Sequence, residues 1–559
     1  MLNLDVCDNQ RDVFVVDFYG SNFRSYVSVL KSLPTSKFKP QYKKWFVKVY
    51  DYELLLRELA QRQLNSVTST EPFKELIKSY QGWEARTKEM LALKDADVPE
   101  MDALVKLPLM KHQRVACKCL KERKILLLAD QMGVGKTLPA IVTAQYLYNE
   151  GVIKNCLVIC TASAKKNWAK EMEKFLHDPD YVMIEGSQAD RVSLYSGEQL
   201  FKIVNYDLLR RDIDILDDED KTYDLVIADE VHRIRNHTAL QSKAVIEIGK
   251  KATYRWGVTG TPIQNRLKDL YSVMTFVDPN MFGSWFYFDK RYIERGFFGE
   301  ITGYKNKDEV RDKLSFIMLR RRKEEVLENL PDKVYNTVYV EMPSRQKKMY
   351  DAVVDQKISL PNDPDLEDKI NDSTPLSRTT YAREVCDSVE LIDPRFKDSA
   401  KMSALKDLVE DFVEDGRKVV VFTQYAKMAH IIQKNLKQKS LVFHGGVPTP
   451  ERETMLERFR NETALPLFIM TTAGSESINL QCAEVIIFFD LVFNPQQIAQ
   501  IEDRLHRQGQ KATVNVIRLI AKDTVEDRVL AILDEKKELF DDIVEDEMVI
   551  STNQILKLL

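Results

Sequence analysis

The sequence predicts an α/β protein made of two parallel-sheet units in tandem, with helical insertions and a small α+β module at the N-terminus. Three observations carry this reading. From residue 104 onward, short apolar runs alternate with amphipathic stretches, as strands and helices do around a parallel sheet. Between residues 280 and 399 the alternation gives way to charged, helix-forming sequence punctuated by Pro343, Pro361, Pro364, Pro375 and Pro394, and afterwards it resumes. Residues 18–50 contain no acidic side chain, yet they hold Arg24, Lys31, Lys37, Lys39, Lys43, Lys44 and Lys48.

The 559 residues suffice for roughly three to four domains. Apolar content of 44% and charged content of 30% describe a globular chain and exclude a disordered one. No window approaches the ~18 apolar residues of a membrane span, and Met1-Leu2-Asn3-Leu4-Asp5 lacks a secretory layout. The seven cysteines are odd in number and show no C-x-x-C pairing, so neither a zinc site nor a disulfide framework is expected. A reducing, cytosol-like compartment follows. The net charge of −4 argues against a protein that merely coats DNA, and puts the weight on local charge.

The elements follow in order. Residues 1–61 form the basic module, whose window carries Phe18, Tyr19, Phe23, Tyr26, Phe38, Tyr42, Trp45, Phe46 and Tyr50. Basic charge with interleaved aromatics can hold phosphates and stack on unpaired bases, which makes Lys43 and Lys44 candidates for nucleic-acid contact. About half of the aromatic stripe is expected in the module's own core. Residues 62–103 are a helical connector containing Trp83. The first α/β unit, 104–279, has candidate buried strands at 125–129, 156–160, 225–228 and 256–259. Residues 280–399 read as helical protrusions and a linker. The second unit, 400–559, has candidate strands at 418–422, 468–471, 485–489 and 514–519.

Chemistry enters at the strand ends. The run 125–129 leads into Asp130-Gln131-Met132-Gly133-Val134-Gly135-Lys136-Thr137, a Gly-rich turn of the kind that cradles phosphates. Gly133 and Gly135 let backbone N–H groups point inward, Lys136 adds a point charge, and the Thr137 hydroxyl can ligate Mg²⁺. Asp130 stands where the plain pattern begins with glycine. The run 225–228 ends in Asp229-Glu230-Val231-His232. In a doubly wound sheet this pair lies beside the phosphate turn, where Asp229 can hold Mg²⁺ and Glu230 can orient and deprotonate the attacking water. A strand ending in Thr259-Gly260-Thr261-Pro262 sets two more hydroxyls at that edge. Thr259 and Thr261, with His232, are candidates for coupling the phosphate state to the rest of the protein. Further on, Gln500, Arg504 and Arg507 are spaced i, i+4 and i+7 and are expected on one helix face. Two arginines brought to a γ-phosphate can stabilise the charge of phosphoryl transfer.

Together these motifs resemble the Swi/Snf-type DNA translocases of the second helicase superfamily. The likeness runs from Leu107 onward and adds Leu109-Met110-Lys111-His112-Gln113, Asn167, Trp168 and Glu171, Asn205-Tyr206-Asp207-Leu208-Leu209, and Leu319-Arg320-Arg321-Arg322-Lys323. In the second unit it adds Thr423-Gln424-Tyr425, His444-Gly445-Gly446 and Met470-Thr471-Thr472. Thr161 stands where the family has proline, and Ser475 and Ser477 where it commonly has glycine. The resemblance implies two RecA-like lobes and ATP and Mg²⁺ as cofactors. It also implies that Gln113 reads adenine, and that Thr161, Ser163, Thr423, Gln424, His444, Thr471 and Thr472 lie along a DNA track. The N-terminal module resembles the HARP domain of annealing helicases through Leu33-Pro34, Phe38-Lys39-Pro40 and Lys44-Trp45. That likeness implies forked or branched DNA, rewound rather than unwound. The expected protein is a monomeric motor on duplex, forked or branched DNA, located with that DNA: in the cytosol, or in the nucleus of a eukaryote. Two rivals share the residues: a motor that displaces proteins from DNA, and a non-hydrolysing DNA clamp switched by ATP.

Overall fold

The computed structural model describes residues 1–7, 13–19, 22–64, 66–216, 222–260, 267–297, 299–327, 330–472 and 478–531. These fall into two compact units. The first runs to Arg321, except for the turn Gln131–Gly135, which clusters with the second unit, Arg322 onward.

The first unit opens with a five-stranded sheet. Its strands are β1 (Leu2–Val6), β2 (Val13–Phe18), β3 (Lys37–Lys39), β4 (Lys44–Lys48) and β5 (Val67–Ser69), in the order β3-β4-β2-β1-β5. Phe14, Val16 and Val47 pack with Tyr26, Val29, Leu30 and Leu55 from helices Phe23–Lys31 and Tyr52–Gln61. The module therefore reaches past residue 61, because β5 pairs in parallel with β1 and covers what would be an open sheet edge.

A seven-stranded sheet follows in the same unit: β6 (Ile125–Leu128), β7 (Cys156–Cys160), β8 (Tyr181–Met183), β9 (Phe201–Asn205), β10 (Leu225–Asp229) and β11 (Tyr254–Val258), completed by a strand from further along the chain. Every pairing among them is parallel. Helices cover both faces, so the strands are largely apolar, with Lys202 in β9 and Arg255 in β11 as exceptions. Leu126, Leu128, Val158 and Ile227 meet Val115, Ile141 and Trp168 on one side. Leu127, Leu157, Val226 and Ala228 meet Val245, Leu270 and Val273 on the other.

The stretch expected as helical protrusions is only partly so. It holds helices Ser344–Val354, Pro364–Asn371 and Pro375–Asp387. It also forms an antiparallel pair, β12 (Ile293–Arg295) and β13 (Ile301–Tyr304), and supplies strands to both large sheets. β14 (Met318–Leu319) joins β6, giving the order β14-β6-β11-β10-β7-β9-β8. β15 (Lys333–Val340) belongs to the second unit, whose six-stranded sheet continues with β16 (Val419–Phe422), β17 (Ser440–Phe443), β18 (Leu467–Met470), β19 (Val485–Phe488) and β20 (Val514–Ala521). The order is β15-β20-β19-β16-β18-β17, again all parallel. Val420, Phe422, Phe468 and Ile486 face one core, and Val419, Val421, Ile469 and Val485 the other, the period of two expected of strands.

Within the first unit the N-terminal module is clamped to the larger sheet's helices. Asp51 is fully buried; it accepts hydrogen bonds from Thr35 N–H and Oγ1 at 2.9 and 2.6 Å, with Lys313 Nζ at 3.6 Å. Arg291 pairs with Glu58 at 2.9 Å and with Glu309 at 2.7 Å. Gly283 has φ +66°, and a Cβ there would come within 2.9 Å of the Pro34 carbonyl oxygen, so the approach tolerates no side chain.

Candidate functional site

β6 runs straight into the phosphate turn. Gly133 and Gly135 have φ of +80° and +92°, a backbone region that costs other residues energy. Helix Thr137–Asn149 starts immediately behind Lys136, so the positive end of its dipole faces the turn. Asp130, the departure from the plain pattern, is 1% exposed and is held by Arg321: Nε donates to Oδ1 at 3.0 Å and a terminal nitrogen to Oδ2 at 2.5 Å. The other terminal nitrogen donates to the His112 carbonyl at 2.8 Å. β14, paired with β6, brings Arg321 there. Asp130 is thus a structural anchor, which explains an acid at that place. Gln113 is buried and its Oε1 accepts the Met110 N–H at 3.0 Å, closing the first turn of helix Lys111–Glu122.

The two acids stand at the carboxyl end of β10, with β11 between it and β6. Trp168 Nε1 donates to Asp229 Oδ2 at 2.8 Å, the Glu230 N–H to Oδ1 at 3.0 Å, and Tyr206 OH to the Asp229 carbonyl at 2.6 Å. Burial and the charge of Glu230 push the Asp229 carboxyl up to about 6, against the pull of Lys136. Glu230 adopts φ +51°, the left-handed region that non-glycine residues hold only where the surroundings impose it. His232 Nδ1 lies 3.2 Å from the Glu230 carboxylate and 3.0 Å from Thr259 Oγ1. Of the three residues expected to couple the phosphate state to the rest of the protein, His232 and Thr259 are in contact, and His232 also reaches Glu230. Thr261 lies outside the described residues.

The donor set fits Mg²⁺. Asp229 and Thr137 offer hard oxygens, and two crowded carboxylates gain from a divalent cation. Among the described residues no group of three or more His, Cys, Asp or Glu gathers to hold a metal.

In the second unit the expected shared face of Gln500, Arg504 and Arg507 is not formed. The helix is Pro495–Glu502, and both arginines, half-buried, lie on the turns that follow. After Glu502 the N–H groups of Arg504 and Leu505 turn back to the carbonyls three residues earlier, Ile501 and Glu502, at 3.1 Å each, so the chain tightens out of the α-helical ladder. Lys323 Nζ donates to the His506 carbonyl and to Asp503 Oδ1, each at 2.6 Å.

Several residues expected on a DNA track are used internally. Thr423 is fully buried, its hydroxyl donating to Asp490 at 2.5 Å, and Gln424 Nε2 donates to Asp490 and to the Leu491 carbonyl at 2.9 and 2.7 Å. Thr161 is buried, lies 3.0 Å from Ser163 Oγ and accepts the Ala164 N–H, closing a local turn. Thr471 is buried too. Such side chains shape the strand ends and do not present a surface. Thr472 and His444 are half-exposed, and His444 Nδ1 accepts the Gly446 N–H at 3.1 Å.

On the N-terminal module Lys43 is exposed and Lys44 half-buried. The basic surface extends beyond them: Lys37, Lys39 and Lys48 line a recess of about 300 Å³ with Thr35, Phe46 and Asn280. Lys39 Nζ sits 4.1 Å from the centre of the Phe46 ring. Tyr19, Phe23, Phe38 and Tyr42 are exposed, whereas Tyr26 is core. Sequence reasoning gave no role to Trp168, Arg321, Lys323 or Asp503, since each acts through a partner far along the chain.

Residues 44–391 match the SNF2-related domain, and residues 400–509 the helicase conserved C-terminal domain. The chain is 32% identical over 422 residues to an uncharacterized ATP-dependent helicase of Mycoplasma genitalium, covering 74% of this chain and 40% of that protein. It is 30% identical over 448 residues to chromodomain-helicase-DNA-binding protein 1-like of Mus musculus, covering 77% and 49%. The chain thus spans between two fifths and one half of these relatives' length. Its structure aligns with the Sulfolobus solfataricus SWI2/SNF2 ATPase core in complex with dsDNA at a TM-score of 0.39 and 28% identity, over 81% of this chain and 97% of that one. Among the described residues no helix is long and apolar enough to cross a membrane.

Proposed function

The chain belongs to the SNF2-related family, with a helicase conserved C-terminal domain behind the SNF2-related one, and on that premise we propose that it is an ATP- and Mg²⁺-dependent DNA translocase. The observation that carries the reading is the contact of His232 with both Glu230 and Thr259 beside Asp229, at the strand edge where the phosphate turn also ends. A contact of the acid with a relay residue of this kind supports a nucleotide-driven motor.

In this reading Lys136 and the turn's N–H groups grip the phosphates, and Thr137 and Asp229 hold Mg²⁺. When bound, the ion neutralises charge on the phosphate oxygens. Trp168 keeps the Asp229 carboxylate aimed by donating to one of its oxygens. Glu230 orients the attacking water and takes its proton. Arg504 and Arg507 stabilise the charge that develops on the transferred group. Loss of the γ-phosphate is felt at Glu230, and the His232–Thr259 contact passes that change to the end of β11. Contacts to a DNA backbone make the movement largely independent of sequence.

Forked or branched DNA is the proposed track, with reannealing the outcome. The exposed aromatics and the lysine-lined recess of the N-terminal module support this, since they can stack on unpaired bases while holding phosphates. The decisive experiment compares ATP turnover without DNA and with single-stranded, duplex and forked DNA. Turnover stimulated most by forks is expected. Turnover indifferent to every DNA would overturn the motor, and equal response to duplex and fork would favour a motor that displaces bound proteins.

A further inference from the structure

Lys323 opens the short helix Lys323–Val326 and is 1% exposed. An ammonium so far from water needs partners, and within the second unit Asp503 Oδ1 and the His506 carbonyl oxygen each stand at 2.6 Å. The same stretch of chain holds the neighbouring residues. Lys333 Nζ and Tyr335 OH donate to Glu502 Oε2 at 2.7 and 2.8 Å. His506 Nε2 lies 2.6 Å from the Pro331 carbonyl oxygen. A carbonyl only accepts, so Nε2 carries the proton; burial holds the ring's pKa below its ordinary value, in keeping with a neutral imidazole. Residues 323–335 thus pin Glu502, Asp503 and His506. Arg504 lies between the pinned positions and Arg507 directly follows the last of them, with Leu505 fully buried between the two arginines.

Resting on the reading that Arg504 and Arg507 serve phosphoryl transfer, we propose that Lys323 is the positioning residue of the arginine-bearing turn. Its ammonium ties the start of the turn, through the Asp503 carboxylate, to its later part, through the His506 carbonyl. With both points fixed, the backbone of Arg504 and Leu505 is held in the turn that follows the helix. Phosphoryl transfer depends on the placement of such charges, and a displacement of about 1 Å is enough to cost ~10²-fold in rate. Lys323 therefore acts on the reaction through the arginines.

The test uses the full chain and two backgrounds. In the first, Lys323→Met is made alone and together with Asp503→Asn. Removing one member of a buried ion pair threatens the fold, whereas neutralising both is commonly tolerated, so the paired variant carries the measurement. It is expected to melt near the wild type and to bind duplex DNA equally well. Its KM for ATP should be unchanged, while kcat falls by about 10²-fold. In the second background Arg504→Ala and Arg507→Ala are already present, and adding the paired change should lower kcat no further, because coupled residues are not additive. Wild-type kcat in the paired variant, or its full loss repeated without the arginines, would overturn the proposal. A paired variant that fails to fold would assign Lys323 to the fold alone and overturn it as well. If the arginine variants themselves keep full turnover, the reading of Arg504 and Arg507 falls, and the role of Lys323 with it.

Discussion

The Arg321 guanidinium closes on the Asp130 carboxylate through two parallel hydrogen bonds, 3.0 and 2.5 Å long. The pair ties the strand that carries the phosphate turn to the segment 318–321, and almost no water reaches the carboxylate. Arg321→Ala would leave that carboxylate buried and unpaired, an arrangement that costs about 3–5 kcal/mol. Urea unfolding should show the loss directly. Asp130→Gly combined with Arg321→Met removes both charges and should recover most of the stability. Equal unfolding midpoints for Arg321→Ala and wild type would deny the pair this role.

Lys136→Ala should abolish ATP hydrolysis while leaving the protein folded and able to bind DNA. The lysine follows a turn whose geometry is set by Gly133 and Gly135, so it contributes charge and not packing. Turnover at the wild-type rate would remove the motor assignment altogether.

Glu230→Gln should keep nucleotide affinity and lower turnover by about 10²–10⁴-fold, since the amide preserves shape but cannot take a proton. Nucleotide titration and single-turnover hydrolysis measure the two separately. A variant that loses affinity but hydrolyses each bound nucleotide normally would move the base elsewhere.

Trp168→Phe keeps an aromatic ring in the core but deletes the N–H that steadies Asp229. Partners that orient a metal ligand are commonly worth about 10–100-fold in metal affinity. The Mg²⁺ concentration giving half-maximal turnover should rise by about tenfold, with DNA affinity unchanged. An unaltered Mg²⁺ requirement would reduce Trp168 to a packing residue.

On the N-terminal module, Lys43→Ala with Lys44→Ala should weaken binding to forked DNA and flatten its salt dependence. Each lost phosphate contact lowers the slope of log affinity against log salt by about 0.9. Lys37→Ala with Lys39→Ala tests the recess in the same way. Removing residues 1–61 is a poorer experiment than the fold-blind sequence suggests. The cut strips β5 of its partner β1 and deprives Arg291 and Lys313 of Glu58 and Asp51. An unchanged salt slope in both lysine pairs would make the module a structural element.

What could be read from the sequence was what repeats locally. β6, β7, β10 and β11 are buried on both faces and announce themselves as unbroken apolar runs. β9 hides because the buried Lys202 interrupts it, and β14 because it is two residues long. The phosphate turn and the acidic pair were legible because each joins a strand to chemistry within a few residues. The contacts that give them support were not. Trp168 reaches Asp229 across 61 residues, Lys323 reaches Asp503 across 180, and Arg321 reaches Asp130 across 191. No local pattern encodes such distances. The same blindness placed Arg504 and Arg507 on a continuing helix, since the spacing of side chains says nothing of the point where the backbone tightens into turns after Glu502. Thr423 read as a surface hydroxyl for want of any sign of Asp490 beneath it.

The ion pairs of Arg291 and Lys313, with Pro34 seated on Gly283, make the N-terminal module a fixed arm and not a tethered hook. A tethered domain raises the local concentration of whatever it grasps, with little regard for shape. A fixed arm works as a gauge: a ligand that touches it and the neighbouring surface together must already have the matching outline. If the module contacts DNA as proposed, loosening the arm through Arg291→Ala lowers the ratio of fork to duplex affinity sooner than it lowers affinity for either DNA.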